Sequence, residues 1–319
     1  VQLINPMSTN GSISMVILPS FNGCVGDPVP VTILVKPNPR IIAITHEDAA
    51  LCSGEILHMD VTGEPSGLTY NWTAVNNNGV LITSGIYSGT TTGAIDLQLT
   101  TSNPLSAGTI QFEFTPIRNG CVGTPVLSAV ITVNPIPGNP IGLPHPAICS
   151  GESTNINVSE NLLITGTMLE WNVIASSNNV TGFTQTGSGL APISINDILV
   201  NVSNVQGFVT YRIKSVLGEC EGAFTDITVL VNPLPKPVLM DGHICVNATT
   251  GVTYQGYVLD TQLSNPNFTY DWFLFNTNTN TYDSIAGASA STYEAMVAGN
   301  YQVIVTDINT NCIGEASAD

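Results

Sequence analysis

The chain repeats itself every 98 residues, and that period constrains its fold more than any other feature. Val35-Lys36-Pro37-Asn38-Pro39 returns as Val133-Asn134-Pro135-Ile136-Pro137 and again as Val231-Asn232-Pro233-Leu234-Pro235; each step, 133 − 35 and 231 − 133, is 98 residues. A period of this size is one small domain, so the chain reads as copies of one unit in series. Each of the three segments closes a run of alternating apolar residues, VTILV, AVITV and ITVLV. Pro-x-Pro cannot continue a hydrogen-bonded ladder and holds the backbone extended, so each predicts a short, stiff linker leaving a last strand.

Three further features keep step with the linkers. A Gly stands thirteen residues before a Cys four times: Gly11 and Cys24, Gly108 and Cys121, Gly207 and Cys220, Gly299 and Cys312. Between them run ISMVIL, IQFEF, FVTYRI and YQVIVT, whose period-2 alternation predicts half-buried strands. Asn22-Gly23 and Asn119-Gly120 stand directly before their cysteines and predict a hairpin turn into the final strand. Each unit also opens on a cysteine: Cys52-Ser53-Gly54-Glu55 matches Cys149-Ser150-Gly151-Glu152, with Cys245-Val246-Asn247 as a degenerate third copy. The last feature is a Trp on a mid-repeat strand, Trp72 in YNWTAV, Trp171 in LEWNVI and Trp272 in YDWFLF. Equal placement predicts packing in a core in preference to a sugar-stacking platform.

The resulting map has residues 1–37 as the closing strands of one repeat, 38–135 and 136–233 as whole repeats, and 234–319 as a repeat cut before its last strand. The chain is thus expected to be a window on a longer protein. Some seven short strands per unit, turn residues between them and no amphipathic helix predict an all-β architecture: immunoglobulin-like β-sandwiches in series, as an elongated rod. In the first whole unit strands are expected near 41–45, 55–62, 68–75, 81–87, 94–100, 109–117 and 126–133.

Composition narrows the setting. With 23 acidic against 6 basic side chains the net charge is −17 and the pI about 4.2, which excludes nucleic acid as a partner because phosphate binding needs clustered Lys and Arg. A hydrophobic fraction of 43% excludes a disordered acidic tail, and no apolar run approaches the roughly 18 residues that span a bilayer. Seven cysteines in such a chain indicate an oxidising compartment. Two pairings are almost equally regular. Within units, Cys52–Cys121, Cys149–Cys220 and Cys245–Cys312 are separated by 69, 71 and 67 residues; across boundaries, Cys24–Cys52, Cys121–Cys149 and Cys220–Cys245 are separated by 28, 28 and 25. Independent folding of each unit favours the first, although an ordinary sandwich places the second-strand start and the penultimate hairpin at opposite ends. Either scheme makes the odd count an effect of the window.

Candidate chemistry is sparse. His46, His58, His145 and His243 are scattered without HxH, HExxH or Cys-x-x-Cys partners for a metal. The acids stand singly apart from Glu47-Asp48 and Glu219 with Glu221, so no cofactor is expected and only a weak interfacial calcium is left to consider. Gly187-Ser188-Gly189 is a flexible loop without the His and acid of a nucleophile elbow, and no enzyme is read from the chain. Tyr87, Phe183 and Tyr282 are the aromatics of the variable middle of each unit, and Asn71, Asn201 and Asn267 begin Asn-x-Ser/Thr sequons.

CSGE at the opening, a Trp strand in the middle, then NGC-x-G and a closing ITVNPxP together resemble the PKD-like and Ig-like tandem repeats of giant type IX-secreted cell-surface adhesins of Bacteroidota, the SprB-type gliding-motility adhesins. The likeness covers essentially the whole chain, with the last repeat departing most. It implies a non-enzymatic stalk that extends an adhesive region and bears tension in gliding or attachment. It further implies an N-terminal signal peptide, a C-terminal sorting domain, localisation at the outer surface, and partners among neighbouring repeats, surface polysaccharide and outer-membrane motility or secretion machinery. Asp283-Ser284-Ile285 looks like the O-glycosylation acceptor of that phylum, at Ser284. Two other roles fit such repeats: units that themselves bind polysaccharide through loops 75–94 or 174–192, and a spacer in a secreted glycan-degrading enzyme.

Overall fold

The computed structural model describes residues 2–142 and 144–319, and every regular element among them is a β-strand. Alternation dictates this. In Gly108–Arg118 every second residue, including Ile110, Phe112 and Phe114, is buried while its neighbours face outward, the period of a pleated strand with one face on a core. The same parity holds for Ile56–Glu64, which buries Leu57, Met59 and Val61, and for Ala94–Thr101, which buries Ile95, Leu97 and Leu99.

The first whole repeat is a two-layer sandwich. One sheet runs in the order Ser88–Thr91, Thr69–Asn78, Gly108–Arg118, Ile131–Asn134 and Ala50–Cys52; the facing sheet runs Arg40–His46, Ile56–Glu64, Ala94–Thr101 and Val80–Ile82. Trp72 and Phe112 meet between them edge to face, with ring centroids 6.0 Å apart. One strand expectation is corrected, and one strand was not expected. Residues 81–87 are not one strand: Val80–Ile82 pairs with Leu99–Thr101, and the chain then crosses to the other sheet, where Ser88–Thr91 pairs with Tyr70–Thr73. The break is a turn at Gly85, which has φ +71° and donates its N–H to Ile82 O at 2.8 Å. The unexpected strand is Ala50–Cys52, which lies parallel to Thr132–Asn134.

The second repeat follows the same plan, with the sheet order Ile148–Cys149, Cys220–Asn232, Gly207–Leu217, Met168–Ser176 and Thr186–Leu190. Its buried Tyr211 donates to Asp197 Oδ2 at 2.7 Å, and Asp197 also accepts from Thr184 N at 2.8 Å and Thr184 Oγ1 at 2.7 Å. Burial, and then the neighbouring Asp197 carboxylate, push the Tyr211 hydroxyl far above its ordinary pKa and keep it a donor.

In the last repeat the sheet order is Thr281–Ser284, Phe268–Asn276, Tyr301–Asp307 and Ile313–Ala318. The expected truncation before the closing strand is therefore corrected: Ile313–Ala318 forms it, antiparallel to Tyr301–Asp307 from Thr306↔Ile313 to Tyr301↔Ala318. Its sequence, IGEASA, lacks the β-branched run that marks the other closing strands, so the ladder and not the side chains carries it. Trp272 is buried and donates through Nε1 to Ala290 O at 2.9 Å. At the other end, Gly11–Ile17 pairs with Val29–Val35 in the register Gly11↔Val35 to Ile17↔Val29.

The chain divides into two compact units. One comprises 1–138 with 164–167 and 216–222; the other comprises 139–163, 168–215 and 223–319. The hairpin tip 216–222 of the second repeat thus belongs with the first repeat.

Candidate functional site: a disulfide clamp at the repeat openings

The opening motif is a rigid turn. Glu55 N donates to Cys52 O at 3.0 Å, Gly54 takes φ +99° where an L side chain is strained, and Glu55 Oε2 accepts from Cys52 N at 2.7 Å. Ser53 and Gly54 fasten the turn to the sandwich: Ser53 N donates to Asn134 O at 2.8 Å, Gly54 N to Leu99 O at 2.7 Å, and Ser53 Oγ accepts from Thr101 N at 3.1 Å. The second copy repeats the set. Cys149 N reaches Glu152 Oε2 at 2.8 Å, Gly151 has φ +92°, Ser150 N donates to Asn232 O at 2.9 Å, Gly151 N to Leu199 O at 2.7 Å, and Ser150 Oγ accepts from Asn201 N at 2.8 Å. Each letter of CSGE therefore has its own task, and the motif fixes one cysteine beside the end of the last strand. The third copy, Cys245-Val246-Asn247, forms a different turn in which Asn247 Oδ1 accepts from Thr249 N and Thr250 N, and Cys245 is exposed.

The second cysteine of each repeat sits on the hairpin that leads into the closing strand. Asn119 at φ +50° and Gly120 at +83° make the two-residue turn before Cys121, as Asn22 at +51° and Gly23 at +87° do before Cys24. The Gly of Cys-x-Gly brings this hairpin against the linker that leads into its own repeat. A Cβ at Gly123 would lie 2.0 Å from Pro39 O, and one at Gly314 would lie 1.9 Å from Pro235 O. Lys36 adds a bond from linker to hairpin, Nζ to Asn119 O at 3.0 Å.

These placements decide the pairing. Cys52 is level with Asn134, next to the Gly108↔Val133 pair, whereas Cys121 is opposite Arg118. The strand Gly108–Arg118 separates them by ten residues, about 33 Å at the rise of a strand, far beyond the roughly 7 Å that a disulfide tolerates between Cα atoms. The within-unit bonds Cys52–Cys121, Cys149–Cys220 and Cys245–Cys312 are therefore corrected, and so is the alternative across adjacent boundaries. The leaving end of one repeat carries the opening cysteine; the arriving end of the next carries the hairpin cysteine. Those two meet. The disulfides are Cys52–Cys220, 168 residues apart in sequence, and Cys149–Cys312, 163 apart, each with Cα atoms 5.5 Å apart. Cys24, Cys121 and Cys245 are free thiols. The sequence signal missed was Cys-x-Gly: its glycine marks the hairpin as lying against the incoming linker.

The other candidate residues are not brought together. His46 Nδ1 lies 2.8 Å from Asp48 O, His145 contacts Pro146 O and Thr154 O, and His58 Nδ1 lies 2.6 Å from Asp96 Oδ1 on the outer face of its sheet. Among the described residues no three His, Cys, Asp or Glu side chains group as metal ligands. Trp72 and Trp272 lie in cores; Trp171 is half-buried at the margin of its own, with its Nε1 unpartnered. Phe183 packs against the second core, Tyr87 accepts from Ile82 N, and Tyr282 stacks edge-on with Phe275. Ser284 is exposed at the end of the edge strand Thr281–Ser284.

Sandwich repeats joined by Pro-x-Pro linkers and by disulfides from one repeat to the next define a tandem β-sandwich repeat protein. Residues 49–137 and 146–235 match the PKD-like domain family. These two segments make up more than half of the chain, which belongs to that family. Among solved structures the chain is similar to the I-band fragment I67–I69 from titin (11% identity over 89% of this chain and 98% of that one, TM-score 0.38). It is also similar to Sidekick-1 immunoglobulin domains 1–5 (16% identity over 88% and 58%, TM-score 0.31) and to mouse cadherin-23 EC22–24 (12% over 88% and 97%, TM-score 0.30). The comparison with curated proteins gives no match.

Proposed function

We propose that this chain is a non-enzymatic, load-bearing stalk segment of a large extracellular adhesin. In this reading it extends an adhesive region away from the cell surface and bears tension in gliding or attachment. Its immediate partners are the neighbouring repeats; surface polysaccharide and the outer-membrane motility and secretion machinery lie at the ends of the load path. The observation that carries the reading is the pairing of Cys52 with Cys220 and of Cys149 with Cys312. Each bond joins the same two repeats as a Pro-x-Pro linker does, so tension crosses the joint on two covalent paths. Single-domain disulfides would leave each linker alone under load. Disulfides also suit an oxidising extracellular site, and an acidic surface of net charge −17 resists self-association.

Stretching by the two ends tests this. Once every sandwich is unfolded, the direct route from Cys52 to Cys312 spans 260 residues, but the bonded network becomes taut through the 71 residues between Cys149 and Cys220. Reduction therefore frees 189 further residues, about 660 Å at roughly 3.5 Å per residue. Equal final extension of oxidised and reduced chains in single-molecule pulling would refute a load-sharing role.

A further inference from the structure

The two disulfides obey one rule: the opening cysteine of a repeat bonds the hairpin cysteine of the repeat after it. Applied to the free thiols, the rule sorts them into two kinds. Cys24 and Cys121 are hairpin cysteines, each directly after an Asn-Gly turn with left-handed φ at both residues, and Cys121 is half-buried where its counterpart Cys220 is buried. Cys245 is an opening cysteine, on the short strand Cys245–Val246 that pairs with Thr253–Gln255. Under the rule no two of the three satisfy one another, because two are of the same kind and the third needs a hairpin that follows it.

We infer that Cys121 and Cys245 are complementary half-sites, each of which captures another repeat of this pattern through a disulfide. Cys121 takes an opening cysteine, and Cys245 takes a hairpin cysteine of the Cys-x-Gly type. Cys24 is a hairpin half-site of the same kind as Cys121. Formation of each bond consumes an external disulfide oxidant such as glutathione disulfide. One protein thiolate attacks it and releases a glutathione thiolate; the second protein thiolate attacks the resulting mixed disulfide and releases the other. The two protein thiols lose their protons, two glutathione thiols gain them, and the protein gains one S–S bond.

The test is a non-reducing peptide map of the full-length chain, purified with its thiols blocked by N-ethylmaleimide, from a mixture of isotope-labelled and unlabelled copies. The expected result joins Cys245 to a Cys-x-Gly cysteine and Cys121 to an opening cysteine. Where the partner is in the same chain, it lies 163 to 168 residues C-terminal of Cys245 or N-terminal of Cys121, the separations of the two formed bonds. Cross-linked peptides of mixed isotope content assign the partner to a second copy; peptides of uniform content assign it to the same chain. Maleimide adducts on Cys121 or on Cys245, a Cys121–Cys245 bond of uniform isotope content, or a partner that is neither an opening nor a hairpin cysteine would each overturn the inference. C121S and C245S provide the control, each expected to lose its own cross-linked peptide while Cys52–Cys220 persists.

Discussion

Gly123 and Gly314 are the residues on which the joint turns. Neither needs left-handed backbone; each is glycine because a carbonyl of the incoming linker occupies the space of a Cβ, at 2.0 and 1.9 Å. Gly123→Ala must push linker or hairpin aside, and we expect it to destabilise the chain by about 1–3 kcal/mol, the usual cost of overpacking, in urea unfolding. An unchanged midpoint would show that the linker yields freely. His58 offers a second test at this scale. The hydrogen bond from its ring to Asp96 is the first cause that raises its pKa above 6.5, with the charges of Asp96, Asp60 and Glu47 adding to it. A raised folded-state pKa stabilises the protonated fold: the contribution is fully present below the unfolded value of about 6.5 and is lost as pH rises through the folded value. An NMR titration should place the His58 midpoint above 6.5, and Asp96→Asn should bring it down; a midpoint at or below 6.5 would contradict the pairing.

At the scale of elements, the CSGE turn and the Asn-Gly hairpin are the two devices that place sulfur atoms. The turn holds its cysteine through the Glu55 carboxylate on Cys52 N and through Ser53 on the neighbouring strands. Glu55→Ala removes one charge-assisted bond at an exposed turn, with an expected cost of about 1 kcal/mol and slower formation of Cys52–Cys220 during oxidative refolding. A refolding time course quenched with alkylating reagent reads the rate, and an unaltered rate would mean that the turn does not preorganise the thiol. Both devices were legible in the sequence as repeated words, as were the strands carrying VTILV-type alternation and the Trp positions. What was not legible has physical causes. The parallel strand Ala50–Cys52 is three residues long and has no alternation to read, yet it decides which end of the sandwich receives the opening cysteine. The closing strand Ile313–Ala318 is polar and small, and the split at Gly85 falls inside what reads as one apolar stretch. Trp171 shares the strand position of Trp72 but not its burial, a difference set by what surrounds the ring and not by spacing.

For the whole molecule, the 98-residue period gives the kind of domain, while the stagger of the disulfides gives the way the repeats are joined. A chain with bonds inside each repeat would be beads on a string; this one is covalently laced, because the opening cysteine lies at the leaving end of its own sandwich. Closing loops of 168 and 163 residues restricts the unfolded chain, each by about 5 kcal/mol in the chain-entropy picture, so reduction should weaken neighbouring repeats together. The most direct test of the staggered joint is a disulfide map of the oxidised chain by mass spectrometry after digestion without reductant. The expected peptides join Cys52 to Cys220 and Cys149 to Cys312. Peptides that join Cys52 to Cys121, Cys149 to Cys220, or Cys24 to Cys52 would contradict the stagger, and with it the load-sharing joint.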